Sequence, residues 1–297
     1  MRGFRKGWLV LLLILAFQAV SNYLDNPNDR PSIRQSAAPP PTARRAAPPA
    51  TGAALPEASR RDPLFSIETG EKSNSTGTAF AIRDDGVWLT ARHVVDGCDK
   101  VGLITAPGRA LRVSRVMPHP RADMAVLWTR NSAPSLSISN APLRVRQEGF
   151  HFGFPQSKPG QVTSSLLGRR NMRSTGRYRH TEPVVAWAER RRVPSTDTLG
   201  GISGGPALNA SGEIVGVTVA SSKRRGRIFT TAPLSLERML DLADVQPAGA
   251  PSAGLNTSPD GGNFIDYGTA LRRQLTVAQV ICRVEGSGRR GRGRRRL

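Results

Sequence analysis

Cysteine is nearly missing from this 297-residue chain: Cys98 and Cys282 are the two present. They allow one disulfide at most, and an oxidising compartment would permit it. Sequence alone does not say whether their Cα atoms approach closely enough, so a pair and two separate thiols both stay open. No cysteine and histidine spacing fits a zinc site, so no metal is expected. Negative charge is also short. Against 43 Lys and Arg stand 22 Asp and Glu, a net charge of +21. Much of the excess lies in arginine runs. These read either as solvated loops and tails or as attraction to an anionic surface such as lipid or nucleic acid. Helical periodicity is sparse and no internal repeat is visible.

One long hydrophobic run exists, at the N-terminus: "MRGFRKGWLVLLLILAFQAVSNYLDN". Arg2, Arg5 and Lys6 precede the apolar stretch from Trp8 to Phe17, the order of a secretory signal. As a helix, Trp8 to Val20 reaches roughly 20 Å, short of a ~30 Å hydrocarbon core. Residues 1–24 therefore read as a signal peptide cleaved near Ala19-Val20-Ser21, or as a signal anchor using residues 8–24. In either case the rest is exported, to the periplasm or the medium. Residues 25–62, rich in Pro, Ala and Arg, read as a disordered linker.

From residue 63 to 245 short apolar runs alternate with turn signals: "GTAFAI", "VWLTA", "KVGLITA", "DMAVLWT", "EIVGVTVA". Asp85-Gly86 suits a hairpin turn. Many short strands at close spacing indicate an all-β sandwich or barrel. "APLSLERMLDLADV" turns helical, with Ser235 as the expected N-cap and Leu236, Met239 and Leu240 on one face. Residues 246–297 read as a low-complexity, Arg-rich extension, in which "NFIDYGTALRRQLTVAQVICRV" fits a helix or a strand.

Within the strand-rich part, "DTLGGISGGPALNASGEIVGV" crowds four glycines around Ser203. Gly201-Ile202-Ser203-Gly204-Gly205 matches the G-x-S-x-G elbow of α/β-hydrolases. Chain order excludes that fold, because its histidine follows the serine, whereas His93, His119, His151 and His180 all precede Ser203. Upstream, "VWLTARHVVDG" sets His93 just after an apolar strand, and "PHPRADMAVLWT" sets Asp123 just before another. A serine hydroxyl is a poor nucleophile and needs a base, which in turn needs an orienting carboxylate.

The order His93, Asp123, Ser203, together with "GTAFAI…GVWLTARHVV", "ADMAVL" and "GISGGPAL…GEIVGV", resembles the trypsin-like serine peptidases. Among these it is similar to the bacterial Deg/HtrA proteases and the glutamyl endopeptidases. The likeness covers about Ser75 to Leu240. It implies two six-stranded antiparallel β-barrels with a short C-terminal helix, and an endopeptidase that uses no cofactor. His93 would be the general base, Asp123 its orienting acid and Ser203 the nucleophile, with the N–H groups of Gly201 and Ser203 as the oxyanion hole. Asp96, three residues after His93, reads as a turn residue. An extended polypeptide substrate would pair with an edge strand at Val219, Ala220 and Ser221.

Asp197, with Thr198 beside it, lies six residues before Ser203, where a trypsin-type enzyme floors its primary pocket. A buried carboxylate there would favour cleavage after Arg or Lys. The residue before Ser203 is Ile202, not the acid that receives a new N-terminal ammonium in trypsin-type zymogens. A buried ammonium would have no partner, so activation of that kind is not expected. Leu166 to Arg192 is strongly basic around Tyr178 and Trp187; export argues against nucleic acid, and a solvated hairpin or a contact with anionic lipid or envelope polymer remains. The residues after Val245 are too few and too rich in Gly, Pro and Arg for the PDZ module of Deg/HtrA enzymes. The competing function is a catalytically silent protease fold with a basic binding surface. Oligomeric state is left open.

Overall fold

The computed structural model describes residues 52–285, apart from 132 and 256. The expected signal or anchor at 1–24, most of the linker and the last arginine run lie outside the described residues.

Six strands close the first barrel. They are β2 (Ser75–Arg83), β3 (Val87–Thr90), β4 (Lys100–Ala106), β5 (Arg109–Pro118), β6 (Ala125–Thr129) and β13 (Val277–Arg283), ordered β13-β2-β3-β6-β5-β4. Every pairing in it is antiparallel. Gly86, at φ 95°, makes the expected turn between β2 and β3. The short helix α1 (Arg92–Val95) follows β3 directly.

The second sheet contains β1 (Leu64–Thr69), β7 (Glu148–Gly153), β8 (Gly160–Gly176), β9 (His180–Val193), β10 (Pro206–Leu208), β11 (Ile214–Ser222) and β12 (Arg227–Thr231). Their order is β1-β8-β7-β10-β11-β12-β9, and β8 also pairs with β9. That last pairing joins β7 to β12 into a ring, with β1 added outside it. β1 runs parallel to β8, from Leu64↔Asn171 to Thr69↔Gly176. The expected six-strand barrel thus carries a seventh strand, drawn from residues just beyond the linker.

Both faces of β2 are buried, so it reads as an apolar run rather than an alternation. Phe80 and Ile82 pack with Phe150 and Phe152 of β7, and Ala79 and Ala81 belong to a cluster that includes Val219 and Phe229. Each cluster draws residues from both barrels. Helices α2 (Pro233–Ala243) and α3 (Phe264–Arg273) cover the first through Leu236, Met239, Phe264 and Leu271.

Three local expectations change. Ala232, not Ser235, caps α2, because Pro233 supplies a preset φ at the first helical position. The 264–283 segment is both a helix and a strand, α3 and then β13. The domain therefore does not end at 245: β13 pairs with β2 and β4 and closes the first barrel. Nor is the linker free up to 62. Leu55 donates its N–H to Leu143 O at 2.7 Å and packs against the second-barrel core.

Candidate active site

His93 sits in the single turn of α1, which the end of β3 aims at the seam between the barrels. Asp123 precedes β6 and is 3% exposed. Both of its carboxylate oxygens meet His93: Oδ1 accepts the His93 backbone N–H at 2.9 Å, and Oδ2 lies 2.7 Å from Nδ1. Burial penalises charge on His93, but the adjacent Asp123 carboxylate outweighs it and holds the imidazole above its ordinary range. Burial likewise opposes the charge of Asp123, and His93 outweighs that, keeping the carboxyl below the usual range. Asp96 is elsewhere, paired with Arg92 at 3.2 Å.

Three of the four glycines around Ser203, Gly201, Gly204 and Gly205, sit where backbone from elsewhere in the chain leaves no room for a side chain. A Cβ on Gly204 would lie 2.1 Å from Thr78 O and 2.8 Å from Ala91 N, two residues before His93. Thr78 N–H donates to Ser203 O at 2.8 Å. The serine turn is thus hydrogen-bonded to β2 and packed close against the residue that precedes α1. Among the described residues, no hydrogen bond joins His93 to the Ser203 hydroxyl. Such contacts often tighten only when substrate is bound.

Gly201, at φ 102°, would meet Phe154 O at 2.4 Å if it carried a Cβ. The carbonyl of Gly200 accepts the Gln156 N–H at 2.6 Å. In a planar trans peptide the carbonyl and the next N–H point opposite ways, so the Gly201 N–H faces away from Gln156. Ile202 is 2% exposed and lies in the second-barrel core.

Val219, Ala220 and Ser221 lie on β11 beyond the reach of β10, which pairs with it only from Val217 back to Ile214. Their other flank pairs with β12. One edge of this stretch is therefore open to an extended chain. Asp197 and Thr198 are exposed, which removes the buried carboxylate expected to floor a pocket. The turn carrying them lies at the surface because Leu199, not Asp197, enters the core. Tyr178 and Trp187 are buried, so the basic segment presents no aromatic stacking surface through them.

Sequence reading missed two features. A cavity of about 360 Å³ adjoins His93, Val219 and Ala220, and Ile67 to Glu71 wall it. Glu182 and His180, on β9, lie against Asp123. The sequence offered only the two glutamates, Glu182 and Glu189, inside an arginine-rich run, with nothing to say that Glu182 is buried.

Residues 77–217 match the trypsin-like peptidase domain family. Over those residues the chain has the sequence of a trypsin-like peptidase domain. The chain is 27% identical over 245 residues to a probable periplasmic serine endoprotease, DegP-like, of Halomonas elongata, covering 73% of this chain and 49% of that one. A protein of the same description from Pseudomonas fulva is 28% identical over 191 residues, 62% of this chain and 37% of its own. The chain thus spans half or less of the length of these relatives. The solved Rv3671c protease of M. tuberculosis, active form, aligns with a TM-score of 0.49 and 20% identity, over 66% of this chain and 97% of that one.

Proposed function

We propose that this peptidase domain is an exported serine endopeptidase working through His93, Asp123 and Ser203. The observation that carries the reading is the double hydrogen bond from His93 to one buried carboxylate, together with a serine turn hydrogen-bonded to β2, the strand before β3 and α1.

In the proposed reaction Ser203 Oγ attacks the scissile carbonyl while His93 Nε2 takes its proton. Asp123 keeps the remaining proton on Nδ1 and stabilises the imidazolium. The N–H groups of Gly201 and Ser203 receive the tetrahedral oxyanion, where one such donor is worth ~3–4 kcal/mol. His93 then protonates the leaving amine, and water hydrolyses the acyl-enzyme. The substrate is an extended polypeptide added to the open edge at Val219 to Ser222. With Asp197 exposed, the reading assigns no preference for basic residues.

Export rests on the basic flank and apolar run of residues 1–24 and on relatives described as periplasmic. Exposed Arg173, Arg179, Arg190 and Arg191 keep an anionic lipid or envelope polymer as a candidate second partner. The test is covalent labelling of the full chain by a fluorophosphonate probe. Wild type should label and turn over casein-derived peptides, and Ser203→Ala should do neither. A folded wild type that stays unlabelled would leave a silent protease fold as the better reading.

A further inference from the structure

Behind the His93–Asp123 pair lies a second carboxyl that the proposed reaction does not use. Glu182 is 1% exposed and comes from β9, in the other barrel. Its Oε1 accepts the Asp123 backbone N–H at 2.8 Å and lies 3.4 Å from His180 Nε2. Its Oε2 is buried with no hydrogen-bond partner. Asp123 is therefore held from both sides. Its side chain faces His93 from the first barrel, and its main chain is gripped from the second.

We infer that Glu182 is a positioning residue, which locks the Asp123 main chain and so sets the Asp123 carboxylate on His93. The inference rests on the peptidase reading above. An unanchored N–H at Asp123 would be a buried donor without a partner, and the loop would shift to find one. A carboxylate displaced by a fraction of an ångström loses one of its two bonds to His93.

The same contact makes the site sensitive to pH. Burial, and the nearby negative charge of Asp123, push Glu182 up to about 7. Asp123, His180 and His93 act on Glu182 directly. One step further out, Arg177 acts on His93, and Arg92 and Arg238 act on His119, while Arg92 and Arg177 stack on Tyr178. His119 Nδ1 accepts the Arg121 N–H at 2.9 Å, so the proton of its neutral ring sits on the buried, unpartnered Nε2. That ring is pushed down by burial and by neighbouring cations, and supplies little positive charge. As Glu182 ionises, its charge adds to that of Asp123 and makes His93 hold its proton more tightly.

Two full-length variants separate geometry from charge. Glu182→Gln keeps an acceptor for the Asp123 N–H, while Glu182→Ala removes it. In Glu182→Ala, kcat should fall roughly 10- to 100-fold with KM little changed. In Glu182→Gln the fall should be smaller, and the acid limb of kcat/KM should move to lower pH by about half a unit. The downfield NMR signal of the His93 Nδ1 proton reads the contact without turnover; it should persist in Glu182→Gln and broaden or vanish in Glu182→Ala. Wild-type kcat and pH profile in both variants, or an unchanged signal in Glu182→Ala, overturns the inference. If Glu182→Ala does not fold, the direction of the Glu182→Gln shift decides. An unlabelled wild type whose signal still responds to these variants would sink the peptidase reading and leave the Glu182 contact standing.

Discussion

His151 and Glu182 are both buried in the second barrel, and burial moves their proton affinities in opposite senses. His151 lies between Thr218 and Ser164, and burial pushes it from the ordinary 6.5 down to about 3. It stays neutral in the fold while an unfolded imidazole takes a proton. Its contribution is therefore full above about pH 6.5 and is lost as pH falls toward 3. Glu182 is pushed from 4.5 up to about 7, so its contribution is full below pH 4.5 and is lost as pH rises toward 7. Each slope is at most about 1.4 kcal/mol per pH unit. Between pH 4.5 and 6.5 they oppose each other. His119, also pushed down, adds to the His151 slope, so wild-type stability in urea should climb with pH in that window less steeply than the two histidines alone would make it. In Glu182→Gln the climb should be steeper; a variant no steeper than wild type would contradict this account. The motif around His93 singled it out as the base and left His119, His151 and His180 as surface or packing residues, without saying which of them is buried against a carboxylate. Whether a histidine is a base or packing depends on what the fold brings within 3 Å.

At the scale of elements, the serine turn depends on the segment Phe154 to Ser157. That segment holds Gln156 and Ser157 at φ 52° and 62°, a left-handed conformation that side chains rarely adopt. Holding it presents the Gln156 N–H to Gly200 O and Phe154 O to Gly201. Two neighbouring glycines should therefore respond differently. Gly201→Ala needs a side chain at φ 102° and 2.4 Å from a backbone oxygen, so the loop must move and the oxyanion donor with it. Activity should fall by ~10²-fold or more in kcat, while circular dichroism stays that of wild type. Gly200→Ala, whose nearest neighbour is 3.6 Å away, should remain within a few-fold of wild type. Equal losses in the two variants would show that the turn is not held this way. From the sequence, the glycines signalled a tight turn. Which of them faces a wall was not legible, because the wall is built about fifty residues earlier.

Across the whole molecule, the Cys98–Cys282 disulfide joins the residues after α1 to β13, 184 positions later. Their Cα atoms are 5.5 Å apart. The bond ties down the strand that closes the first barrel, and both cysteines line the cavity beside His93. Closing so long a loop constrains the unfolded chain, and removing the bond should cost roughly 2–5 kcal/mol. Paired Cys98→Ser and Cys282→Ser changes should therefore lower Tm by several degrees, and a reductant should do the same to wild type. An unchanged Tm in both experiments would mean that β13 is held by its strand pairings alone.

Local pattern determined much of this protein. Apolar runs broken by turn residues specified short strands, and the short motifs around His93, Asp123 and Ser203, in that order, specified a candidate chemistry, because each motif is contiguous or nearly so in the chain. Tertiary structure alone decided the rest. It placed Leu55 in the domain, set β1 beside β8 as a seventh strand, took β13 from an unpromising C-terminal stretch and paired the cysteines. It also moved Asp197 to the surface and set Glu182 behind Asp123. Each of these depends on a partner far along the chain, and a partner's position is fixed by packing rather than by the residues next to it.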